Sequence, residues 1–198
     1  KKFDPADFAA FLALLPKTAD GRTLRHVVEV RHDSFRSPDL VAMARSRGIA
    51  IAIAADGSRY TGGAHGQPLI ARFVWLPQQD ARLTSAALVP DAKGWQAISD
   101  YVREQLHTAV VTRADEDELP AADRAALIKS TFRMIDEGTK PEAGNFSEFV
   151  PVLDTAGRIS ALRFVFPPYQ VGPYADGTQT VDVPAAILLP HIAPEYAG

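Results

Sequence analysis

The chain has 198 residues, of which 21 are Lys or Arg and 24 are Asp or Glu, so its formal net charge is −3. Hydrophobic residues make up 46% and charged residues 23%, values typical of a folded globular protein rather than a disordered chain. The absence of a basic cluster argues against a nucleic-acid partner, because such binding relies on Lys and Arg neutralising phosphates. Cysteine is absent, which excludes disulfides, thiolate metal sites and a cysteine nucleophile. No stretch approaches the about 20 apolar residues that cross a bilayer, so we expect no membrane span.

The first sixty residues alternate helix and strand patterns. A helix is predicted over residues 5–15, with Asp4 as its N-cap and Pro5 in its first turn. Residues 24–30 form a strand pattern rich in β-branched residues, and Ser37 and Gly48 bracket a second helix. Residues 49–55 are a near-continuous apolar run, typical of a parallel strand covered on both faces. This order predicts an α/β segment that resembles part of a (β/α) barrel.

Beyond Tyr60 the pattern becomes that of an α+β domain. Its predicted elements are a glycine-rich loop at 61–66, a strand at 69–76, helices at 93–110 and 121–135, an acidic solvated stretch at 112–119, a β-hairpin of strands 148–153 and 159–166, and a short strand at 180–183. The hairpin turn is expected at Asp154 to Gly157. We therefore predict two segments, 1–59 and 60–198, the second with an antiparallel sheet packed on helices.

One set of polar residues lies where the two predicted strands of the first segment end. Glu29, Arg31 and His32 follow the first strand, and Asp56 follows the second. In barrel enzymes the carboxyl ends of the strands carry the active site, and a carboxylate paired with a guanidinium can orient a polar ligand. A structural ion pair at the mouth of a sheet explains the same residues equally well, so both interpretations stay open.

A second set of candidates lies in two loops of the second segment. Gly62, Gly63 and His65 belong to a loop whose glycines let the backbone approach a ligand closely, although a tight connection that needs positive φ explains them too. Residues 166–174 (FPPYQVGPY) are the densest aromatic and proline segment. Its stiff, amphipathic Tyr169 and Tyr174, together with Gln170, suit contacts with a sugar or a protein partner. The alternative is a rigid loop whose rings cover the sheet.

The sequence contains no motif for a cofactor, a metal or a catalytic nucleophile. Its five histidines never recur at the i, i+4 spacing of a helical metal pair. A nucleophile elbow, a phosphate-binding loop and a dinucleotide-binding glycine motif are also absent. We therefore predict no cofactor and no metal, and the pattern favours a non-catalytic role.

Residues 1–59 resemble the YecE-like family (domain of unknown function 72), which has a TIM-barrel fold. The resemblance lies in residues 14–16 (LLP), in 28–35 (VEVRHDSF) and in the helix and strand at 45–56. Two strands and two helices cannot close an eight-stranded barrel. The resemblance implies a cytoplasmic location and, as the alternative function, an enzyme of unknown activity with Glu29, Arg31, His32 and Asp56 at its site.

Residues 60–198 resemble the RsiV-like family (domain of unknown function 3298). The ordered motifs are 60–66 (YTGGAHG), Leu83-Thr84, Glu137-Gly138, Pro141, Asn145-Phe146, Phe149, 166–171 (FPPYQV), Pro173-Tyr174, Gly177 and Val183-Pro184. Members of this family occur on the outer side of bacterial membranes and include lipoproteins and anti-sigma factors whose outer domain binds lysozyme. The resemblance implies a periplasmic or extracytoplasmic domain that binds or senses an envelope glycan or a lysozyme-like protein.

Overall fold

The computed structural model describes residues 2–19, 21–59, 62, 66–116 and 119–197. Its helices are α1 (Pro5–Leu14), α2 (Pro38–Arg47), α3 (Ser85–Leu88), α4 (Ala92–Glu116), α5 (Ala121–Gly138) and α6 (Ala185–Leu188). Its strands are β1 (Thr18–Ala19), β2 (Arg22–Thr23), β3 (His26–Val30), β4 (Ile49–Arg59), β5 (Gln67–Leu76), β6 (Ala81–Leu83), β7 (Phe149–Leu153), β8 (Ile159–Phe166) and β9 (Gln179–Pro184). The fold is mixed α/β and α+β, as predicted, and the described strands form no closed barrel.

The helices of the first segment begin and end where their capping residues predict. Asp4 accepts a hydrogen bond from the backbone N–H of Asp7 at the start of α1. Ser37 caps α2 in the same way, and Gly48 ends that helix with a φ of 69°. A side-chain acceptor satisfies a free N–H of the first turn, and glycine adopts positive φ without a steric penalty.

The first sheet has the order β3-β4-β5-β6 and is mixed. Strands β3 and β4 pair in parallel, as the helix–strand alternation predicts. The other edge of β4 is occupied by β5, which pairs antiparallel to it from Ile51 opposite Trp75 to Arg59 opposite Gln67. The sheet therefore joins strands from both sides of the predicted boundary at residues 59 and 60, and the division of the chain there stays a prediction.

The second sheet is the antiparallel unit β7-β8-β9. The predicted hairpin of β7 and β8 is confirmed, and Gly157 in its turn has a φ of 78°. Glu148, just before β7, connects the two sheets: its Oε2 accepts a 2.6 Å hydrogen bond from the backbone N–H of Arg72 on β5. Its Oε1 lies 3.5 Å from Nη2 of Arg82 on β6.

Two apolar clusters lie against the first sheet. The N-terminal core contains Phe8, Leu12, Val30, Leu40, Ala44, Ile49 and Ile51, with Trp75 packed against it. The main core combines Ala52 and Val74 of the first sheet with Trp95, Ile98 and Val102 of α4 and with Phe149, Phe164 and Phe166 of the second sheet. Strand β4 contributes to both clusters, which agrees with the prediction of a strand covered on two faces.

The predicted solvated stretch at 112–119 is exposed at Thr112, Asp115 and Glu116, but its first half is helical. Helix α4 continues to Glu116, and Ala114 is buried there. The neighbouring Arg113 donates to Asp176 Oδ2 at 2.8 Å across the fold. Partners far along the chain therefore stabilise these last helical residues, and a local charge pattern does not reveal such partners.

Candidate functional site

The loop between β8 and β9 carries a pair of aromatic rings, of which Tyr169 is exposed and Tyr174 half-buried. Tyr169 is 62% exposed, and its ring centroid lies 5.7 Å from that of Tyr174. An aromatic ring of this kind offers an apolar face and a polar tip to a ligand. The two tyrosines predicted as ligand-binding candidates therefore form one surface, which we call the tyrosine surface.

Tyr169 lies in a turn whose backbone favours a different residue type. The backbone N–H of Gln170 donates to the carbonyl of Pro167 at 3.1 Å, and Tyr169, at the third position of this turn, has a φ of 74°. With Pro168 at the second position these features are typical of a type II turn, whose third residue is ordinarily Gly or Asn. A bulky side chain at positive φ is strained, and such strain is concentrated at functional sites.

The base of the loop is held by backbone acceptors of α5 and of the turn that follows it. Gln170 Nε2 donates to the carbonyl oxygens of Gly138 at 3.0 Å and of Asn145 at 2.9 Å. Gly138 makes this approach possible, since a Cβ atom there would lie 2.0 Å from the carbonyl oxygen of Gln170. Gln170, a predicted ligand-binding candidate, thus has its amide nitrogen bound to the protein itself.

The far end of the loop contacts the end of the predicted glycine-rich loop. Tyr174 Oη donates to the carbonyl of Gly66 at 3.4 Å, although 108 positions separate the two residues. Gly62, in the same glycine-rich loop, is exposed and has a φ of 89°. The predicted candidates Gly63 and His65 lie outside the described residues. The structure therefore places the end of the glycine-rich loop beside the tyrosine surface.

A cleft of about 270 Å³ opens between helix α5 and this loop. It is lined by Arg133, Met134 and Glu137 of the helix and by Tyr169 and Gln170 of the loop. We call it the α5 cleft. The sequence did not indicate the helix residues, because an Arg and a Glu on an exposed helix face carry no signal until tertiary packing places them beside the loop.

Three of the four candidates of the first segment, Glu29, Arg31 and Asp56, are engaged in ion pairs within the fold. Glu29 Oε1 accepts from Arg31 Nε at 2.7 Å, and this hydrogen bond raises the pKa of Arg31. Both carboxylate oxygens of Asp56 accept from Arg72 Nη2 at 2.7 Å. The geometry is that of two structural ion pairs, each carboxylate having its own arginine, and the role of these residues at a barrel site stays a prediction.

His32 has a local partner in the same region. Its Nδ1 accepts a 3.0 Å hydrogen bond from the backbone N–H of Ser34 and so caps the short helical turn Asp33–Phe35. Glu29 also borders a second cavity of about 470 Å³, whose other lining residues include Phe3, Phe8, Phe11, Leu14 and Phe35. This cavity is mostly apolar and belongs to the face of α1.

Neither metal-holding clusters nor membrane-spanning helices occur in the part of the chain that the structure describes. No group of three or more His, Asp or Glu side chains there is arranged to hold a metal ion. None of the helices in the described ranges is both long enough and apolar enough to cross a bilayer.

The fold and the cleft define the class of protein: an α+β domain with an exposed aromatic loop set against a long helix. Residues 88–186 match the family described as "Protein of unknown function (DUF3298)". This match covers half of the chain, and the chain belongs to that family. The match lies within the predicted second segment, whereas the resemblance of residues 1–59 to the YecE-like family stays a prediction.

Two solved structures are similar to the chain. One is a DUF3298 family protein from Pseudomonas aeruginosa PAO1, with 13% identity, a TM-score of 0.45, and coverage of 75% of this chain and 63% of that chain. The other is a member of the DUF3298 family from Bacteroides fragilis NCTC 9343, with 16% identity, a TM-score of 0.45, and coverage of 73% and 55%. The chain thus spans less than two thirds of the length of either protein. No curated protein matches it.

Proposed function

We propose that this chain is a non-catalytic, RsiV-like domain that binds a component of the bacterial cell envelope, a glycan such as peptidoglycan or a lysozyme-like protein, at the tyrosine surface. The observation that supports this proposal is the strained presentation of Tyr169. The turn would form more easily with glycine at this position, and the tyrosine there exposes a ring beside Tyr174 and the α5 cleft. On this proposal the domain acts outside the cytoplasmic membrane.

The rigidity of the loop also favours a binding role. Gln170 is held by two carbonyl oxygens, and Asp176 is paired with Arg113. A surface that is already ordered before binding loses less conformational entropy when a ligand arrives. Large aromatic side chains on such a surface supply contact area at low entropic cost.

The test is capture of the purified protein by insoluble peptidoglycan and by immobilised lysozyme. Replacing both rings, with Tyr169→Gly and Tyr174→Ala, should abolish capture while the circular dichroism spectrum stays unchanged. Glycine is used at position 169 because alanine would keep the strain of positive φ. The control is Phe11→Ala, which removes an exposed aromatic ring from the distant helix α1 and should leave capture intact.

Two results would contradict the proposal. If the double variant is captured as well as the unchanged protein, the tyrosine surface is not the binding site. If the unchanged protein is retained by neither peptidoglycan nor lysozyme, the envelope ligand itself is wrong.

A further inference from the structure

The charges around the α5 cleft are not balanced. Glu137 Oε1 lies 2.5 Å from Lys140 Nζ, so the acid of the cleft already has a cation. Arg133 is also exposed, and its side chain makes no ion pair or hydrogen bond within the described ranges of the chain. The cleft therefore carries one guanidinium whose charge is available to a ligand.

The dimensions of the cleft set the size of the group it can hold. A volume of about 270 Å³ lies just below the usual range of small-molecule sites, and it suits a single six-membered sugar ring rather than an extended peptide. Met134 and the ring of Tyr169 give the cleft apolar walls, against which the C–H face of a sugar ring can pack. Arg133 stands at the same cleft and can bind a carboxylate through two parallel N–H donors.

We propose that the α5 cleft binds an acidic sugar, with the sugar ring packed on Tyr169 and its carboxylate bound by Arg133. This inference rests on the proposed function and narrows its ligand to a carboxylate-bearing glycan unit. Arg133 acts as the specificity residue, since a neutral sugar of the same shape would leave its guanidinium unpaired. Tyr169 binds acidic and neutral sugars alike.

The experiment compares two monosaccharides that differ by one acidic group. N-acetylmuramic acid carries a lactyl carboxylate that N-acetylglucosamine lacks, so we would titrate each into the ¹⁵N-labelled protein and follow the amide resonances. The unchanged protein should bind the acidic sugar about tenfold more tightly, a difference in the range of one charge-assisted hydrogen bond. The preference should shrink as salt is raised, because an exposed ion pair is screened.

Three variants, two in helix α5 and one just after it, distinguish the charge of Arg133 from that of any nearby cation. Arg133→Gln should bind both sugars with the weaker affinity of the neutral one. Lys129→Gln removes an exposed cation one turn earlier on the same helix and should keep the preference. Lys140→Gln should lower the preference in part, since it frees Glu137 to pair with Arg133 at the i, i+4 spacing of a helix.

The outcomes distinguish this inference from the function on which it rests. Equal binding of both sugars, or an undiminished preference in Arg133→Gln, would overturn the role of Arg133 while binding at the tyrosine surface stands. Retention on lysozyme alone, with no response to either sugar, would overturn the acidic sugar and favour a protein ligand. If the unchanged protein binds neither sugar and is retained by neither peptidoglycan nor lysozyme, both this inference and the proposed function are overturned.

Discussion

Tyr169 shows how a single backbone angle connects the sequence to the site. The Pro167-Pro168 pair predisposes the chain to turn, and the hydrogen bond from Gln170 to Pro167 closes that turn. The third position then has a φ of 74°, which costs a non-glycine residue about 1 kcal/mol or more. Because the ring of Tyr169 is exposed, packing of this side chain does not offset the backbone strain. This uncompensated strain supports the proposed contact of Tyr169 with a ligand.

Gly138 is the second residue on which the cleft depends, and its replacement is a sharp test. Gly138→Ala would place a Cβ atom 2.0 Å from the carbonyl oxygen of Gln170, so the loop must move away from helix α5. We expect the free energy of unfolding to fall by about 2 kcal/mol, as for other overpacked sites, and sugar binding at the cleft to weaken. Urea unfolding and the titration above would measure both effects.

The matched control for this prediction is Gly144→Ala. A Cβ atom at Gly144 would meet nothing within 4 Å, and its φ is not positive, so stability should change by less than about 0.5 kcal/mol. If the two variants lose the same stability, close approach of the loop is not the reason for glycine at position 138.

At the scale of the element, the β7–β8 hairpin depends on the side chain of Asp154. Its Oδ1 accepts from the backbone N–H groups of Ala156 and Arg158, both at 2.9 Å. The hydrogen bond from the Arg158 backbone is the main reason that the pKa of Asp154 lies below its ordinary value. The side chain of Asp154 therefore closes the turn more strongly when it is ionised.

This coupling predicts an acid-sensitive hairpin. Because the pKa of Asp154 is lower in the folded state than in the unfolded state, its stabilising effect is complete above about pH 3.8, the ordinary value, and is lost as the pH falls through the folded pKa. Asp154→Ala should therefore lower the free energy of unfolding at pH 7. Below pH 4 the free energies of unfolding of the variant and of the unchanged protein should be closer together. Urea unfolding at both pH values measures this difference.

Thr155→Ala changes the same turn without removing a carboxylate. Its difference in free energy of unfolding from the unchanged protein should be the same at pH 7 and below pH 4, because the carboxylate of Asp154 stays in place. If Asp154→Ala lowers the free energy of unfolding by the same amount at both pH values, the ionised carboxylate of Asp154 is not what stabilises the turn.

At the scale of the whole molecule, the two cores share one sheet. Strand β4 supplies Ile49 and Ile51 to the N-terminal core and Ala52 to the main core. Trp75 belongs to β5, which follows residue 60, yet it packs against the N-terminal core. Because unfolding of this shared sheet would expose both cores to water, we expect the two cores to unfold together.

The two tryptophans allow a direct test, since each reports on one core. In Trp95→Phe the remaining fluorescence comes from Trp75 at the N-terminal core, and in Trp75→Phe it comes from Trp95 in the main core. Within each variant the fluorescence midpoint in urea should coincide with the midpoint by far-ultraviolet circular dichroism. Midpoints that separate in either variant would instead support the predicted division of the chain between residues 59 and 60.

Most helices and strands were predicted from local features of the sequence. The cap at Ser37, the stop at Gly48 and the turn at Asp154 each act through neighbouring residues, and the structure confirms them. The short elements α3, α6 and β6 were missed. Their few residues offer no periodicity, and their formation depends on packing: Leu88 and Leu188 both lie in the main core.

The sequence by itself determined the order of the longer elements, the loop that carries Tyr169 and Tyr174, and membership of a family whose motifs it displays. Only the tertiary structure decided that β5 closes β4 into a mixed sheet, that Gly66 lies beside Tyr174, and that Arg133 borders the same cleft as Tyr169. The physical reason is one of range. Caps, turns and periodicity act over a few residues, whereas a cleft forms between residues far apart along the chain, where packing brings them together.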